Sequence, residues 1–183
     1  MEKTCVFLAD GFEEGEALIP VDLLRRAGAH VTMASISSSL AVQGSHGITV
    51  QADALASSLS LDEFGLLVLP GGMPGTLNLL KSELVKQTVL QFAQKEKWVA
   101  AICAAPSILG ELGLLQGRKA TCYPTAEEKC TGALLTREEV CTDGHFITGR
   151  GLGAAIPFAL TLVNVVAGPA NRQRIKDAIV YPY

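Results

Sequence analysis

Cys103 is the residue whose surroundings point most clearly to chemistry. It follows the apolar run at residues 99–102 and precedes Ala104, Ala105 and Pro106. A strand that runs into a cysteine, with small residues where a helix opens, is the pattern of a nucleophile elbow, because small neighbours permit the strained turn. The opening helix directs free N–H groups and a positive dipole end at the sulfur, which predicts a thiolate with a lowered pKa. Such a sulfur would be a nucleophile and an oxidation target. The alternative interpretation is a buried, inert cysteine at a tight turn.

Gly71 and Gly72 end a second strand-like run, at residues 66–69. Paired glycines let backbone N–H groups come close to a reacting oxygen, as in an anion-binding nest or oxyanion hole. A turn that only needs positive φ would use the same residues. Both interpretations remain open from the pattern, although a neighbouring cysteine elbow favours the anion-binding role.

Three acids, Glu13, Glu14 and Glu16, follow the first strand-like run. Acids at the start of a helix usually complement its dipole on the surface. One of them could instead point into the site. A partly desolvated carboxyl beside a thiolate would have a raised pKa, so that it could donate a hydrogen bond to the sulfur or carry protons. The pattern does not choose among the three.

An alternation of strand-like and helix-like runs must position these residues. Strands are predicted at residues 4–9, 31–35, 66–69, 98–102 and 119–122, with hairpins at 41–50 and 140–148, and helices at 13–27, 84–95, 104–115, 152–166 and 171–179. This order predicts an α/β fold with a mainly parallel sheet and helices on both faces. Because ligands of such sheets bind beyond the carboxyl ends of the strands, we expect the chemistry at the strand exits near residues 10–11, 70–72, 103 and 148–150.

The composition excludes several classes of protein. A length of 183 residues suits one domain, residues 1–183, and the hydrophobic content of 49% argues against disorder. The net charge is −3 and no basic cluster exceeds Arg25-Arg26, so strong nucleic-acid binding is not expected. No apolar run is long enough for a signal peptide or a membrane span. Five widely spaced cysteines without C-x-x-C predict neither a zinc site nor a disulfide framework, and favour a reducing, cytoplasmic location.

The chain resembles the ThiJ/PfpI superfamily, and in particular its parkinsonism-associated deglycase branch of DJ-one and YajL-like proteins. The similarity runs essentially from end to end. The motifs that carry it are Gly11-Phe12-Glu13-Glu14-Gly15-Glu16-Ala17, Ile19-Pro20-Val21-Asp22, Leu24-Arg25-Arg26-Ala27-Gly28, Val68-Leu69-Pro70-Gly71-Gly72, Ala100-Ala101-Ile102-Cys103-Ala104-Ala105-Pro106, Tyr123-Pro124-Thr125 and Gly149-Arg150-Gly151-Leu152-Gly153.

The resemblance implies a flavodoxin-like fold and a homodimer. It implies that Cys103 is the nucleophile, that Glu16 is the family's protonated glutamate, and that the backbone amides of Gly72 and Ala104 bind the anion. The activity it implies is glyoxalase or deglycase chemistry on methylglyoxal-like α-oxoaldehydes or glycated adducts, with neither metal nor other cofactor. The alternative is a non-catalytic oxidative-stress sensor or chaperone that uses oxidation of the same cysteine.

The sequence departs from the family pattern at two positions. Tyr123 stands where the branch commonly has a histidine, and with a reference pKa of about 10 it cannot serve as a base near neutral pH. Ala104 follows the cysteine where the peptidase branch usually has a histidine, which disfavours a Cys-His peptidase. His46 and His145 are expected to be solvated loop residues, and His30 to be structural.

A glycine motif competes with this interpretation. The spacing Gly149-x-Gly151-x-x-Ala154 follows a predicted strand and formally matches a dinucleotide fingerprint. The acid expected about 20 residues further on is absent, so nucleotide binding is not predicted. We expect instead an exit loop that lines the pocket together with Tyr123, with Arg150 orienting an anion or packing at a dimer surface.

Overall fold

The structure is a computed structural model that describes residues 1–182. Its strands are β1 (Thr4–Leu8), β2 (Val31–Ser35), β3 (Ala41–Gln43), β4 (Thr49–Gln51), β5 (Ala54–Leu55), β6 (Leu66–Leu69), β7 (Trp98–Ile102), β8 (Lys119–Ala120), β9 (Leu134–Leu135), β10 (Val140–Asp143) and β11 (Phe146–Gly149). Its α-helices are α1 (Glu14–Arg26), α2 (Gly75–Lys81), α3 (Glu83–Gln94), α4 (Pro106–Glu111), α5 (Ala155–Ala167) and α6 (Pro169–Ala178). Short 3₁₀ turns span Ala56–Ser58, Leu61–Glu63, Pro124–Lys129 and Leu152–Ala154.

Seven strands form the main sheet, in the order β10-β11-β7-β6-β1-β2-β5. All neighbours pair in parallel except β10, which pairs antiparallel with β11 at one edge. The chain leaves β1 toward β2 on one side and returns to β6 on the other. The order therefore reverses between β1 and β6, which makes a topological switch point, and their carboxyl ends are the expected ligand site.

The sheet separates two apolar cores. The first contains buried residues of α1, α5 and α6, and the second contains those of α3 and α4. Every residue of β1 and β6 is buried. This agrees with their continuous apolar runs, which are typical of central parallel strands. In α1, Ala17, Val21 and Leu24 form one buried face, and basic residues in the last turn complement the helix dipole.

The structure confirms the predicted α/β fold with a mostly parallel sheet and helices on both faces, and it differs from the sequence analysis in one strand and two helices. The strand predicted at residues 119–122 is shorter, since β8 spans Lys119–Ala120 and pairs with β9 outside the main sheet. The helix predicted at residues 104–115 is shorter, since α4 spans Pro106–Glu111 and Gly113 has a φ of +73°. The seven-residue α2 was not predicted. None of the helices in the described residues is long and apolar enough to cross a membrane.

Candidate active site

Cys103 lies at a strained turn directly after β7. Its φ is +65°, a left-handed conformation that is uncommon outside glycine. Two backbone hydrogen bonds hold this turn: the Cys103 N–H donates to the Gly149 carbonyl at 2.9 Å, and the Cys103 carbonyl accepts from the Tyr123 N–H at 2.8 Å. The side chain is half-buried and packs against both apolar cores. The backbone therefore has the geometry that the elbow pattern predicted, with the sulfur at the carboxyl end of a central strand.

Glu16 is the acid that reaches the sulfur. It lies in the first turn of α1 and is only 1% exposed. Its carboxyl hydrogen-bonds with the Cys103 side chain, and its Oε2 accepts from the Gly71 N–H at 3.1 Å. A Cβ on Gly71 would lie 2.6 Å from both the Cys103 Cβ and the Glu16 Oε2. Only glycine fits at this position, because the turn after β6 passes directly over the thiol–carboxyl contact.

Two backbone amides also face the sulfur. The N–H groups of Gly72 and Ala104 hydrogen-bond with Cys103, and both bonds act to lower its pKa. Gly72 has a φ of +91°, and a Cβ there would lie 2.6 Å from the carbonyl carbon of Phe12. The turn after β6, the loop after β1 and the elbow after β7 thus meet at one point.

The sulfur and the carboxyl titrate as a pair. Burial raises the pKa of Glu16 to about 7, while its hydrogen bonds with Cys103 and Gly71 act in the opposite direction. Burial, and to a lesser degree the charge of Glu16, raise the pKa of Cys103 to about 12. The hydrogen bonds from the two backbone amides act in the opposite direction but are weaker. The carboxyl proton is therefore lost near pH 7 and the thiol proton only at high pH, each ionisation opposed by the charge of the other group.

This result corrects the sequence prediction of a lowered thiol pKa. That prediction considered the helix end and the amides but not the desolvation of a half-buried sulfur beside an acid. Burial penalises the charged thiolate, and an ionised Glu16 repels it. The thiolate is less disfavoured when Glu16 is protonated, because the repelling charge is then absent.

Tyr123 and Arg150 lie beside the elbow, on the wall of a shallow cavity of about 450 Å³. Residues 151–154 complete much of this wall. Tyr123 is 48% exposed. Arg150 donates to the Cys122 carbonyl at 3.5 Å and lies 3.8 Å from the Glu127 carboxylate. Neither Cys103 nor Glu16 is among the residues that line this cavity, so it adjoins the thiol–carboxyl pair without containing it.

Two of the three histidines are placed away from the sulfur. His30 and His145 precede β2 and β11, at the edge of the sheet opposite Cys103. His145 is not solvated as expected, since it packs edge-on against Trp98 with its Nδ1 buried. Within the described residues, no histidine hydrogen-bonds with Cys103. The geometry provides no Cys-His pair of the kind that a peptidase requires.

His46 and Glu14 form a contact that sequence reasoning missed. The Glu14 carboxylate accepts from the backbone N–H groups of His46 at 2.8 Å and Ile48 at 3.4 Å, and bonds the His46 ring at 3.1 Å. These hydrogen bonds outweigh burial and lower the pKa of Glu14 to about 2. Ligand atoms of Glu13, Glu14 and His46 lie within 4.8 Å of one another, a spacing that a metal ion can use. The hydrogen bonds of Glu14 themselves connect the start of α1 to the β3–β4 hairpin.

The sheet order and the elbow together define the class: this is a flavodoxin-like α/β protein with a cysteine elbow beside a buried glutamate at the switch point. A family model gives the particular family. Residues 2–165 match the DJ-1/PfpI family, to which the chain belongs. The resemblance seen in the sequence is thereby confirmed.

Individual relatives agree with this assignment. Protein DJ-1 homolog B of Arabidopsis thaliana is 38% identical over 98% of this chain, which spans 41% of that protein's length. Deglycase TK1284 of Thermococcus kodakarensis is 36% identical over 82% of this chain and 91% of its own. The solved structure of oxidized DJ-1 from Toxoplasma gondii superposes with a TM-score of 0.95 at 34% identity and covers all of both chains.

Proposed function

We propose that the protein is a cofactor-independent glyoxalase or deglycase that acts on α-oxoaldehydes such as methylglyoxal, or on their adducts, through Cys103. The observation that carries this proposal is the hydrogen bond between the Cys103 thiol and the buried Glu16 carboxyl. A carboxyl with a pKa of about 7 is matched to accepting and returning a proton at neutral pH. The similarity to a protein named as a deglycase supports the same class of reaction.

In the first step the sulfur attacks the aldehyde carbon. A carbon–sulfur bond forms, the thiol proton passes to ionised Glu16, and the carbonyl oxygen becomes an alkoxide. The Gly72 and Ala104 amides, which face the sulfur, are placed to donate to that oxygen. Glu16 then returns this proton to the alkoxide, which gives a hemithioacetal and leaves the Glu16 carboxylate ionised again.

In the second step a proton moves between the two carbons. Ionised Glu16 removes the hydrogen of the former aldehyde carbon as a proton, which gives an enediolate. The hydroxyl proton of that carbon passes to the neighbouring oxygen, and Glu16 returns its proton to the neighbouring carbon, which yields a thioester of the 2-hydroxy acid. Water hydrolyses the thioester and the free thiol is restored. The sum is one α-oxoaldehyde and one water converted into one 2-hydroxy acid, with no external oxidant or reductant.

Turnover of methylglyoxal tests the proposal. We expect the purified protein to form lactate and Cys103→Ala to lose this activity almost completely, since the covalent step needs the sulfur. Cys5→Ala is the matched control, because Cys5 is fully buried in β1 and takes no part in the proposed reaction. If Cys103→Ala and the wild type form lactate at the same rate, the proposal is wrong.

A second candidate is an oxidative-stress sensor or redox-regulated chaperone. The half-buried sulfur faces two amides and a carboxyl that can hold a proton, a set of donors that suits a cysteine sulfinate. The Toxoplasma gondii relative was solved in an oxidized form. Intact mass after mild peroxide tests this candidate: it fails if Cys103 gains no oxygen under conditions that oxidise free cysteine.

We further propose that residues 1–183 act as one domain, in a homodimer in the cytoplasm. The family resemblance supports the dimer and the odd number of widely spaced cysteines supports a reducing compartment. Light scattering on the purified chain tests the dimer, since a monomer mass at micromolar concentration would contradict it.

A further inference from the structure

Two carboxylates, an imidazole and a hydroxyl converge where the start of α1 meets the β3–β4 hairpin. The His46 Nδ1 lies 3.1 Å from the Glu14 Oε2 and 3.4 Å from the Glu13 Oε2. The Ser45 Oγ lies 3.1 Å from that nitrogen, 3.3 Å from the Glu13 Oε2 and 3.5 Å from the Glu14 Oε2. Five of the six distances among these four atoms therefore fall between 3.1 and 3.5 Å.

This spacing is close to that of ligand atoms around a tetrahedral metal ion. Zinc binds nitrogen and oxygen ligands at about 2.0–2.2 Å, and two corners of a tetrahedron are separated by about 1.6 times that distance, which gives about 3.3–3.6 Å. The separations measured here need to change by only a few tenths of an ångström to match. An imidazole nitrogen among the ligands favours zinc and related transition metals over Mg²⁺ and Ca²⁺, which prefer oxygen ligands.

The two carboxylates have no permanent positive partner among residues 1–182. Glu13 and Glu14 form ion pairs with His46, which is charged only when it is protonated, and with no lysine or arginine in that range. Their side chains are 16% and 7% exposed, so water screens the two negative charges poorly. Because charges removed from water are usually paired or coordinate a metal, a divalent cation is the counter-ion that this arrangement favours.

The Glu14 carboxylate is already oriented for such a role. Its Oε1 accepts from the backbone N–H groups of His46 and Ile48, while its Oε2 contacts the His46 ring. The hairpin is held in turn, since the Ser45 N–H donates to the Phe12 carbonyl at 2.8 Å. Hydrogen bonds to the second oxygen of a carboxylate are a common way to orient a metal ligand. The His46 side chain is 68% exposed, which gives an ion direct access from solvent.

We propose that Glu13, Glu14 and His46 form a binding site for a divalent transition-metal ion of the zinc type. The ion binds the Oε2 atoms of both carboxylates and the His46 Nδ1, and its fourth position, beside the Ser45 hydroxyl, is open to solvent. Its role is to fasten the first turn of α1 to the hairpin, and it takes no part in the reaction proposed for Cys103. Because the site contains no cysteine, the spacing of the five cysteines does not bear on it.

Calorimetric titration of metal-free Cys103→Ala protein with Zn²⁺ tests the proposal. This background removes the half-buried thiol as a competing zinc ligand, and the four other cysteines are at most 4% exposed. We expect one zinc ion per chain. We expect His46→Ala in the same background to lower the zinc affinity by more than about 100-fold, because a lost ligand costs more than the 10–100-fold typical of a group that only orients one.

Matched variants distinguish this site from general binding of zinc to surface histidines. His30→Ala is the control, because His30 is also exposed and precedes β2, away from the hairpin, and it is expected to leave the affinity unchanged. Glu13→Gln is expected to weaken binding as His46→Ala does. The proposal is overturned if Cys103→Ala protein binds no zinc, or if either site variant binds it as tightly as His30→Ala. Neither result depends on methylglyoxal turnover, since Cys103 is absent from every protein tested.

Discussion

The Cys103 thiol and the Glu16 carboxyl each determine how the other ionises. The apolar strand and small residues at positions 99–106 were sufficient to predict the elbow at Cys103. The choice of Glu16 among three acids came only from the family resemblance, because residues two apart on a helix face about 200° apart and the pattern did not show which side faces the sheet. The direction of the thiol pKa could not be predicted, since it depends on how much water the fold removes from both groups.

Gly71→Ala tests whether activity needs the close packing of the Gly71 backbone against Cys103 and Glu16. The added Cβ would lie 2.6 Å from Cys103 and Glu16 atoms and 2.9 Å from the Ile102 carbonyl oxygen, so the turn or the pair must move. A displacement of about 1 Å can lower activity on the order of 10²-fold, which is the loss we expect in kcat/KM for methylglyoxal. Gly153→Ala is the control, because no atom lies within 4 Å of its added Cβ. Equal activity of the two variants would contradict the geometry.

The elements that were predicted well are those with a regular apolar pattern. The strands at 31–35, 66–69 and 98–102 and both hairpins were placed correctly, because their apolar runs have clear limits. The helix α2 was missed because seven residues are too few to show a period, and because the Gly75 N–H at its start bonds to the distant Gly11 carbonyl at 3.0 Å. The early end of α4 follows from Gly113, whose left-handed conformation the sequence alone did not establish.

The contact between α1 and the β3–β4 hairpin gives a prediction about pH. The pKa of Glu14 is about 2 in the folded protein, below its ordinary value of 4.5, so ionised Glu14 stabilises the fold at pH values above 4.5 and the gain is lost as pH falls toward 2. We expect Glu14→Gln to lower the free energy of unfolding by about 1–2 kcal/mol at pH 7, and by progressively less below pH 4.5. Urea unfolding at several pH values measures this.

Glu128→Gln is the control for this prediction, because Glu128 is exposed and lies in the 3₁₀ turn Pro124–Lys129 rather than in α1 or the hairpin. Its free energy of unfolding is expected to follow that of the wild type at every pH. A Glu14→Gln variant that is as stable as Glu128→Gln at pH 7 would show that the carboxylate does not hold the hairpin.

The molecule as a whole brings together groups that are far apart in sequence. Glu16 follows β1, Gly71 and Gly72 follow β6, and Cys103 follows β7, and these three strands are adjacent in the sheet. The alternation of elements predicted a parallel sheet with its site at the strand exits. It did not predict the strand order, because the buried runs of the central strands are similar in pattern and their neighbours are chosen by packing between helices and sheet.

The pH dependence of Cys103 alkylation, compared between the wild type and Glu16→Gln, tests the central claim most directly. If the sulfur and the carboxyl titrate as a pair, replacing Glu16 with a neutral amide removes the charge that opposes the thiolate. Cys103 should then become reactive at a lower pH than in the wild type, whose thiol pKa burial and Glu16 raise to about 12. The same profile in both proteins, or a shift to higher pH in Glu16→Gln, would contradict the account.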